Sequence, residues 1–351
     1  MMRILAAMSG GVDSSLAAAL LVEAGHTVVG VTLHLWDGDD PRLNQSLCCS
    51  QEIVESARRV CAQLGIDYYV FNRRREFRRH VIDHFLDEYA QGRTPNPCMA
   101  CNRDIKFRVL LERAAAMGFD AVATGHYARI CHTPEPQLHR AVDLAKDQSY
   151  MLYMLDTDTL ARVRFPLGGY TKAEVRAMAG ARGLASAERP ESQDICFVPG
   201  GDYRQLLIEE RPASLLPGPI LDQHGSEIGR HDGLPRYTIG QRRGLGVATG
   251  TPVYVTAIDA ARNALIVAPA EALARDALTL SDVHLIATAP GATFDCDVQL
   301  RAHGQAVPAQ VTIAGGGSAH VRFAQPQRAS APGQSAVFYQ GTRVLGGGIV
   351  V

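Results

Sequence analysis

Arg3-Ile4-Leu5-Ala6-Ala7-Met8-Ser9-Gly10-Gly11-Val12-Asp13-Ser14-Ser15 is the stretch that decides the fold. Arg3 to Met8 is a short, largely apolar run, which predicts a buried strand. Ser15 to Ala24 is rich in alanine and leucine, which predicts a helix. A strand that passes through two glycines into a helix presents free backbone N–H groups and the positive end of a helix dipole, a combination that suits phosphate. Gly10 and Gly11 let the backbone approach an anion closely. Ser9, Ser14 and Ser15 add hydroxyls, and Asp13 adds a carboxylate suited to holding Mg2+ against phosphates.

Outward from this loop the pattern alternates. Thr27 to Leu33 and Tyr68 to Phe71 read as strands, as does Ala121-Val122-Ala123, which leads into Thr124-Gly125-His126. Between them, Gln51 to Leu64, Phe77 to Gln91 and Arg103 to Met117 read as helices, each followed by glycine. The βαβα order predicts an α/β domain with a parallel sheet, helices on both faces, and ligands at the carboxyl edge of the strands. Thr171 to Gly183 reads as one more helix. After Glu210 proline and glycine punctuate short strand-like runs such as Pro252 to Ile258, Ala264 to Ala268, Ala319 to Phe323 and Ser335 to Tyr339. This predicts a catalytic domain over 1–200, a small β-rich domain over 201–272 and a C-terminal β-barrel over 273–351.

Composition narrows the class. The 351 residues suffice for two or three domains, and 46% hydrophobic with 20% charged residues is ordinary for a soluble globular protein. No apolar run is long enough to span a membrane, and the N-terminus runs straight into a strand, so a cytoplasmic protein with no membrane partner is expected. A net charge of −1 excludes a global basic field. Arg73, Arg74, Arg75, Arg78 and Arg79 form a local basic cluster, and Arg236, Arg242 and Arg243 form another around Tyr237. Either cluster alone reads first as a solvated face. The only lysines are Lys106, Lys146 and Lys172. A lysine kept in so arginine-rich a chain suggests a place that needs a compact ammonium.

The eight cysteines of an expected cytoplasmic chain are catalytic, metal-binding or inert rather than a disulfide framework. Thr94-Pro95-Asn96-Pro97-Cys98-Met99-Ala100-Cys101-Asn102 reads as a proline-stiffened loop before a helix. Cys101 is expected near that helix's N-terminus, where the dipole favours a thiolate. Cys98 and Cys101 also have the CxxC spacing of metal and redox sites, although a single pair is modest evidence. Cys196 lies between Ile195 and Phe197, which fits a buried core thiol as well as a functional one. Cys48 and Cys49 read as surface bystanders, with metal binding the weaker option.

The loop is neither of two familiar phosphate binders, for the chain has no GxxxxGK[ST] and no GxGxxG. SGGVDSS resembles the pyrophosphate loop of the ATP pyrophosphatases, which adenylate a substrate oxygen. Six further motifs extend the likeness: Gly92 to Phe107, Ala123 to Arg129, Lys146 to Leu152, Ser192 to Val198, Arg236 to Gly246 and Pro332 to Tyr339. With these the chain is identified as a member of the tRNA-specific 2-thiouridylase family over essentially its whole length. The resemblance implies a Rossmann-like sheet of the ATP pyrophosphatase (HUP) type. It implies that Ala7, Met8, Ser9, Gly10, Gly11, Val12, Asp13 and Ser14 bind ATP phosphates, and that Leu33 and Gly125 line the adenosine site. Asn96, Pro97 and Cys98 would face the target base. His126, Lys146, Asp147, Gln148, Arg236, Tyr237 and Gln334 would touch tRNA.

The implied chemistry is adenylation of the wobble uridine O2 of tRNAs for Lys, Glu and Gln, with ATP and Mg2+. Sulfur would arrive as a persulfide on Cys196 from a relay protein or cysteine desulfurase. It would reach C2 directly or be freed as sulfide by Cys101, leaving a Cys101–Cys196 disulfide. Two positions depart from the family pattern. A methionine commonly stands where this chain has Leu33, and an aspartate where it has Cys98. The second change raises an alternative in which Cys98, Cys101 and Cys196 ligate an iron–sulfur cluster that leaves one iron open for a sulfide, as the resemblance to related thiolases implies. Another ATP-pyrophosphatase synthetase, or a tRNA-binding module without activity, are the remaining readings.

Overall fold

The computed structural model describes residues 1–35, 51–189, 195–198, 202–286 and 292–351. Cys48, Cys49 and Ser192 to Asp194 lie outside the described residues.

The first domain is built on five parallel strands in the spatial order Tyr68–Asn72, Thr27–His34, Arg3–Ala7, Ala121–Ala123 and Val163–Arg164. Alternation along the first strand sends Ile4 and Ala6 to one face and Leu5 to the other. Ile4 and Ala6 pack with Leu16 and Ala17 of the helix Val12–Glu23 and with Val175 and Ala179 of the helix Lys172–Ala181. Leu5 packs with Leu110, Leu111 and Ala114 of the helix Arg108–Ala116. Helices therefore cover both faces, as a parallel sheet requires. The strand order reverses beside the first strand, so the crevice there is the expected ligand position.

Two expected helices have an internal wide turn. The first runs as α-helix Arg74–Phe77, π-helix Arg78–Asp83 and α-helix His84–Ala90. The second starts earlier than its sequence suggested, at Pro97, and passes through a π-helix Cys101–Phe107 before Arg108–Ala116. Over six or seven residues a wide turn keeps a similar apolar spacing, so periodicity does not reveal it. Such insertions are frequent at functional sites.

The second sheet has four strands in the order Tyr254–Asp259, Ala264–Ala268, Gly218–Leu221 and Glu227–His231, around Ile220, Leu234, Val255 and Leu265. The third is a closed antiparallel barrel of six strands, Ala274–Leu285, Ser318–Arg328, Val307–Ala314, Thr293–Gln299, Ser335–Gln340 and Arg343–Val350. Its first and last strands pair to close it. The hairpin Ala128–Cys131 and Gln137–Arg140, from the first part of the chain, joins the barrel edge where His139 pairs with Arg343.

Candidate active site

The glycine loop follows the first strand at the carboxyl edge of the sheet. Gly10 has φ +70°, and a Cβ there would lie 2.8 Å from the Ile53 carbonyl oxygen, so only glycine fits without strain. The loop is tied down from several sides. Thr32 Oγ1 donates to the Met8 carbonyl at 2.7 Å, and Ser56 Oγ donates to the Gly10 carbonyl at 3.0 Å. The Ser9 backbone N–H donates to Ser14 Oγ at 3.1 Å, and Ser14 and Ser15 hydroxyls donate to the Gly11 carbonyl. Gly11 caps the helix Val12–Glu23 without a side-chain hydrogen bond, which leaves the first-turn N–H groups to a ligand. Gly125, after the fourth strand, comes so close that a Cβ would stand 2.8 Å from the Asp13 carbonyl carbon and the Ser14 nitrogen. Ala7 to Ser14 and Gly125 are thus one continuous surface.

Asp13 is engaged by protein donors. Lys172 Nζ lies 2.7 and 2.8 Å from its two carboxylate oxygens, and the Tyr127 hydroxyl donates to Oδ1 at 2.7 Å. A Mg2+ held by one carboxylate and substrate phosphates fits this donor set, provided Lys172 and Tyr127 yield to it. Lys172 was not singled out by motif, although its rarity among 35 basic residues was a usable signal.

The thiol region shares an apolar cluster with Leu33 of the second strand. Asn96 caps the Pro97–Ala100 helix, its side chain accepting from the Cys98 N–H at 3.1 Å, and Pro97 occupies the first helical position. This corrects the expectation for Cys101. The first turn belongs to exposed Cys98, whereas Cys101 lies a turn further in, buried, at the start of the wide-turn segment. Cys101 belongs to an apolar cluster with Phe77, Phe85, Ile105 and Phe197, against which half-buried Cys196 and Leu33 pack. Phe197 stands edge-on to Phe77 and Phe85, with ring centroids 6.0 and 5.1 Å away. Among the described residues no three His, Cys, Asp or Glu side chains are gathered in a way that could hold a metal.

The barrel holds this thiol loop from outside. The Thr94 N–H donates to the Pro332 carbonyl at 2.7 Å, and Gln334 Nε2 donates to the Thr94 carbonyl at 2.6 Å. Gln334 also lines a cleft of about 480 Å³ with Thr238, Gln241, Arg301 and Arg328. Arg236 and Tyr237 line a second cleft with Arg204 and Arg243. In the first basic cluster Arg78 is committed, bonding Glu210 at 2.7 Å and Asp83 at 2.9 Å.

His126 is buried between Phe107 and Phe165, its Nδ1 2.7 Å from Thr124 Oγ1. Burial, and secondarily the charge of Lys106, holds its pKa well below the ordinary histidine value, so the ring is neutral near pH 7. Gln148 accepts from the Tyr127 N–H at 2.9 Å, and Lys146 is partly exposed beside it. Asp147 turns inward. It accepts from Arg140, the Ala141 N–H and Ser149, with its side chain 5% exposed. That geometry makes Asp147 the support of its loop.

Family profiles match this chain throughout: the tRNA methyl transferase HUP domain at 2–200, the tRNA methyl transferase PRC-barrel domain at 205–269 and the aminomethyltransferase beta-barrel domain at 275–350. The tRNA-specific 2-thiouridylase MnmA of Roseiflexus sp. (strain RS-1) is 66% identical over 99% of both chains. The chain belongs to the tRNA-specific 2-thiouridylase family. Proteins of the same name from Chloroflexus aurantiacus and Geobacter metallireducens are 63% and 48% identical, each over 99% of this chain and 98% and 96% of their own lengths. The family is one of tRNA sulfurtransferases, and its HUP domain here is the parallel-sheet domain that carries SGGVDSS. No helix among the described residues is long and apolar enough to cross a membrane.

Proposed function

We propose that this chain uses ATP to replace O2 of the wobble uridine with sulfur in tRNAs for Lys, Glu and Gln, releasing AMP and pyrophosphate in the cytoplasm. The observation that carries this reading is the place of Leu33. It ends the second strand and packs both into the sheet core that abuts the glycine loop and into the apolar cluster of Cys101 and Cys196. A nucleotide seated between Ala7–Ser14, Leu33 and Gly125 therefore adjoins the thiols.

The residues then have these roles. The loop and first-turn N–H groups hold the phosphates, and they stabilise the charge that develops as pyrophosphate departs. Magnesium, when bound, neutralises phosphate charge beside Asp13. Uridine O2 bonds to the α-phosphorus, the α–β bridging P–O bond breaks, and pyrophosphate leaves with the electron pair while the N3 proton passes to solvent. Asn96, Pro97 and Cys98 face the base, which must leave the anticodon stack to be reached. Cys196 carries a persulfide received from a relay protein or cysteine desulfurase. Its terminal sulfur attacks C2 and expels AMP. The Cys101 thiolate then attacks Cys196 Sγ, the S–S bond to the base breaks, and a Cys101–Cys196 disulfide remains for a thiol reductant to reopen. Lys146, Gln148, His126, Arg236, Tyr237 and Gln334 contact the tRNA, with Asp147 fixing the loop of the first two.

The persulfide on Cys196 is the carrier in this reading, and an iron–sulfur cluster on Cys98, Cys101 and Cys196 is its alternative. Stoichiometric iron and sulfide after anaerobic purification would reverse that choice. The overall reading is tested with an unmodified lysine tRNA, ATP, Mg2+ and a persulfide donor, followed by nuclease digestion. 2-Thiouridine is expected in the digest. Its absence, with ATP cleaved only when a small carboxylate or purine acceptor is added, would identify a synthetase instead.

A further inference from the structure

Lys172 sits where electrostatics disfavours it. It is the first residue of the helix Lys172–Ala181 and is 9% exposed. This helix packs beside Val12–Glu23 on the same face of the sheet. Each follows a strand of the parallel sheet, so both helix N-termini lie at the carboxyl edge. Positive dipole ends repel an ammonium, and cations are ordinarily placed at the opposite ends of helices. The ammonium is nevertheless fixed beside the first turn of Val12–Glu23 by Asp13 at 2.7 and 2.8 Å, and Asp13 is oriented by the Tyr127 hydroxyl. The backbone of Lys172 is anchored too, its N–H donating to Asp143 Oδ2 at 2.9 Å, within a helix start closed by the Thr171–Glu174 capping box. A buried cation held against two helix dipoles by one carboxylate breaks a local rule, as functional sites do.

We propose that Lys172 is a catalytic residue of the adenylation step, holding the β- and γ-phosphoryl oxygens of ATP and then the departing pyrophosphate. Asp13 is its counter-ion until the triphosphate arrives. The negative phosphates then satisfy the ammonium and both helix ends, and the Asp13 carboxylate is released toward the accompanying cation. The exchange gives the loop a means of telling ATP from AMP, since only ATP carries the phosphates that can replace Asp13 on the lysine. The compact ammonium suits an exchange between two partners better than a planar guanidinium, in a chain whose other cations are almost all arginine. This proposal rests on the ATP reading above and adds a residue to it.

The test compares wild type, Lys172→Met, Lys172→Arg, Asp13→Asn and the double variant Asp13→Asn/Lys172→Met by calorimetric titration with ATP, pyrophosphate and AMP, alongside pyrophosphate–ATP exchange in the presence of tRNA. In Lys172→Met the affinities for ATP and pyrophosphate should fall by about tenfold or more, with AMP affinity within about twofold, as expected for loss of a charged hydrogen bond to phosphate. Lys172→Arg should recover part of the binding and little of the exchange. ATP and pyrophosphate affinities within about twofold of wild type in Lys172→Met would overturn the proposal. If that variant does not fold because Asp13 is left unpaired, the double variant decides. Because Asp13→Asn alone also alters the phosphate site, the double variant is read against that single variant: ATP and pyrophosphate affinities about tenfold or more below it support the role, and affinities within about twofold of it overturn the proposal. A wild-type chain that binds no ATP would overturn the nucleotide reading, and this one with it.

Discussion

The glycine loop and the thiol loop are built differently. The glycine loop is held by its own sheet: the Met8 and Gly10 carbonyls accept from Thr32 and Ser56, and Ser9, Ser14 and Ser15 bond within the loop. The thiol loop is held from a distance. Thr94 is bonded by Pro332 and Gln334 of the barrel, and Met99 receives a hydroxyl contact from Ser335 at 2.8 Å. Cys196 reaches the site on a segment anchored by the aromatic contacts of Phe197. The difference matches the two tasks. In the proposed reaction, activation needs a preformed phosphate cradle, whereas sulfur delivery through Cys196 and Cys101 needs thiols that meet and part.

The comparison breaks most sharply at Gly125. A Cβ there meets the backbone of Asp13 and Ser14 at 2.8 Å, and backbone cannot move aside as a side-chain tip can. Gly125→Val should displace the glycine loop and lower pyrophosphate–ATP exchange by about 10²-fold or more, the scale of an ångström misplacement in a catalytic constellation. Binding of tRNA, measured by filter retention, should stay within about twofold. A parallel loss of tRNA binding would show that the two regions are not separately supported.

Asp147 tests the barrel's hold. Its carboxylate compensates Arg140, whose guanidinium also bonds Gln299 at 2.7 Å and stacks 3.5 Å from the Tyr339 ring. Asp147→Ala leaves that cation without its partner and should cost about 3–5 kcal/mol in denaturant unfolding, as breaking a buried pair does. A specific tRNA contact would behave otherwise, with stability kept and affinity reduced.

The sequence showed these two regions unequally. SGGVDSS, Thr124-Gly125-His126 and the glycine stops announced the sheet and its ligand edge, because short-range chemistry fixes them. Lys172 stands out in the sequence only by its rarity, because its partner, Asp13, is 159 positions away. Asp147 sits in a motif whose resemblance assigns the whole triplet to tRNA, and its bonds to Arg140, Ala141 and Ser149 are visible only in the fold. The true start of the thiol helix was written in Asn96-Pro97, a cap followed by a first-position proline, yet the apolar pattern drew attention downstream. The wide turns at Arg78–Asp83 and Cys101–Phe107 left no mark in periodicity.

Acid should sharpen the comparison at His126, which packs between the sheet edge and Phe107 of the thiol-side helix. Its folded pKa is depressed, by burial first and by Lys106 second. The unfolded chain therefore takes a proton that the folded chain refuses. The contribution is fully present above the ordinary value of about 6.5 and is lost as pH falls below it, by at most about 1.4 kcal/mol per pH unit. His34, His132, His139 and His231 are shifted the same way, so the slope is shared. Melting curves from pH 7 to pH 5 should fall less steeply in His126→Asn than in wild type. Equal slopes would show that the ring protonates without unfolding the site.

The smallest effect is expected at Gln334, and it separates two roles proposed for one side chain. Its amide donates to the Thr94 carbonyl while its residue lines the 480 Å³ cleft with Arg301 and Arg328. Gln334→Ala removes one hydrogen bond and should lower stability by about 0.5–1.5 kcal/mol. If its main work is to brace Thr94, hydrogen exchange should quicken across residues 92–101 and single-turnover sulfur transfer should slow, with tRNA affinity and pyrophosphate–ATP exchange unchanged. If it reads the tRNA, affinity should fall first and exchange at Thr94 should follow only in the complex. Exchange measured with and without tRNA distinguishes the two, because bracing is a property of the chain alone and reading requires the partner.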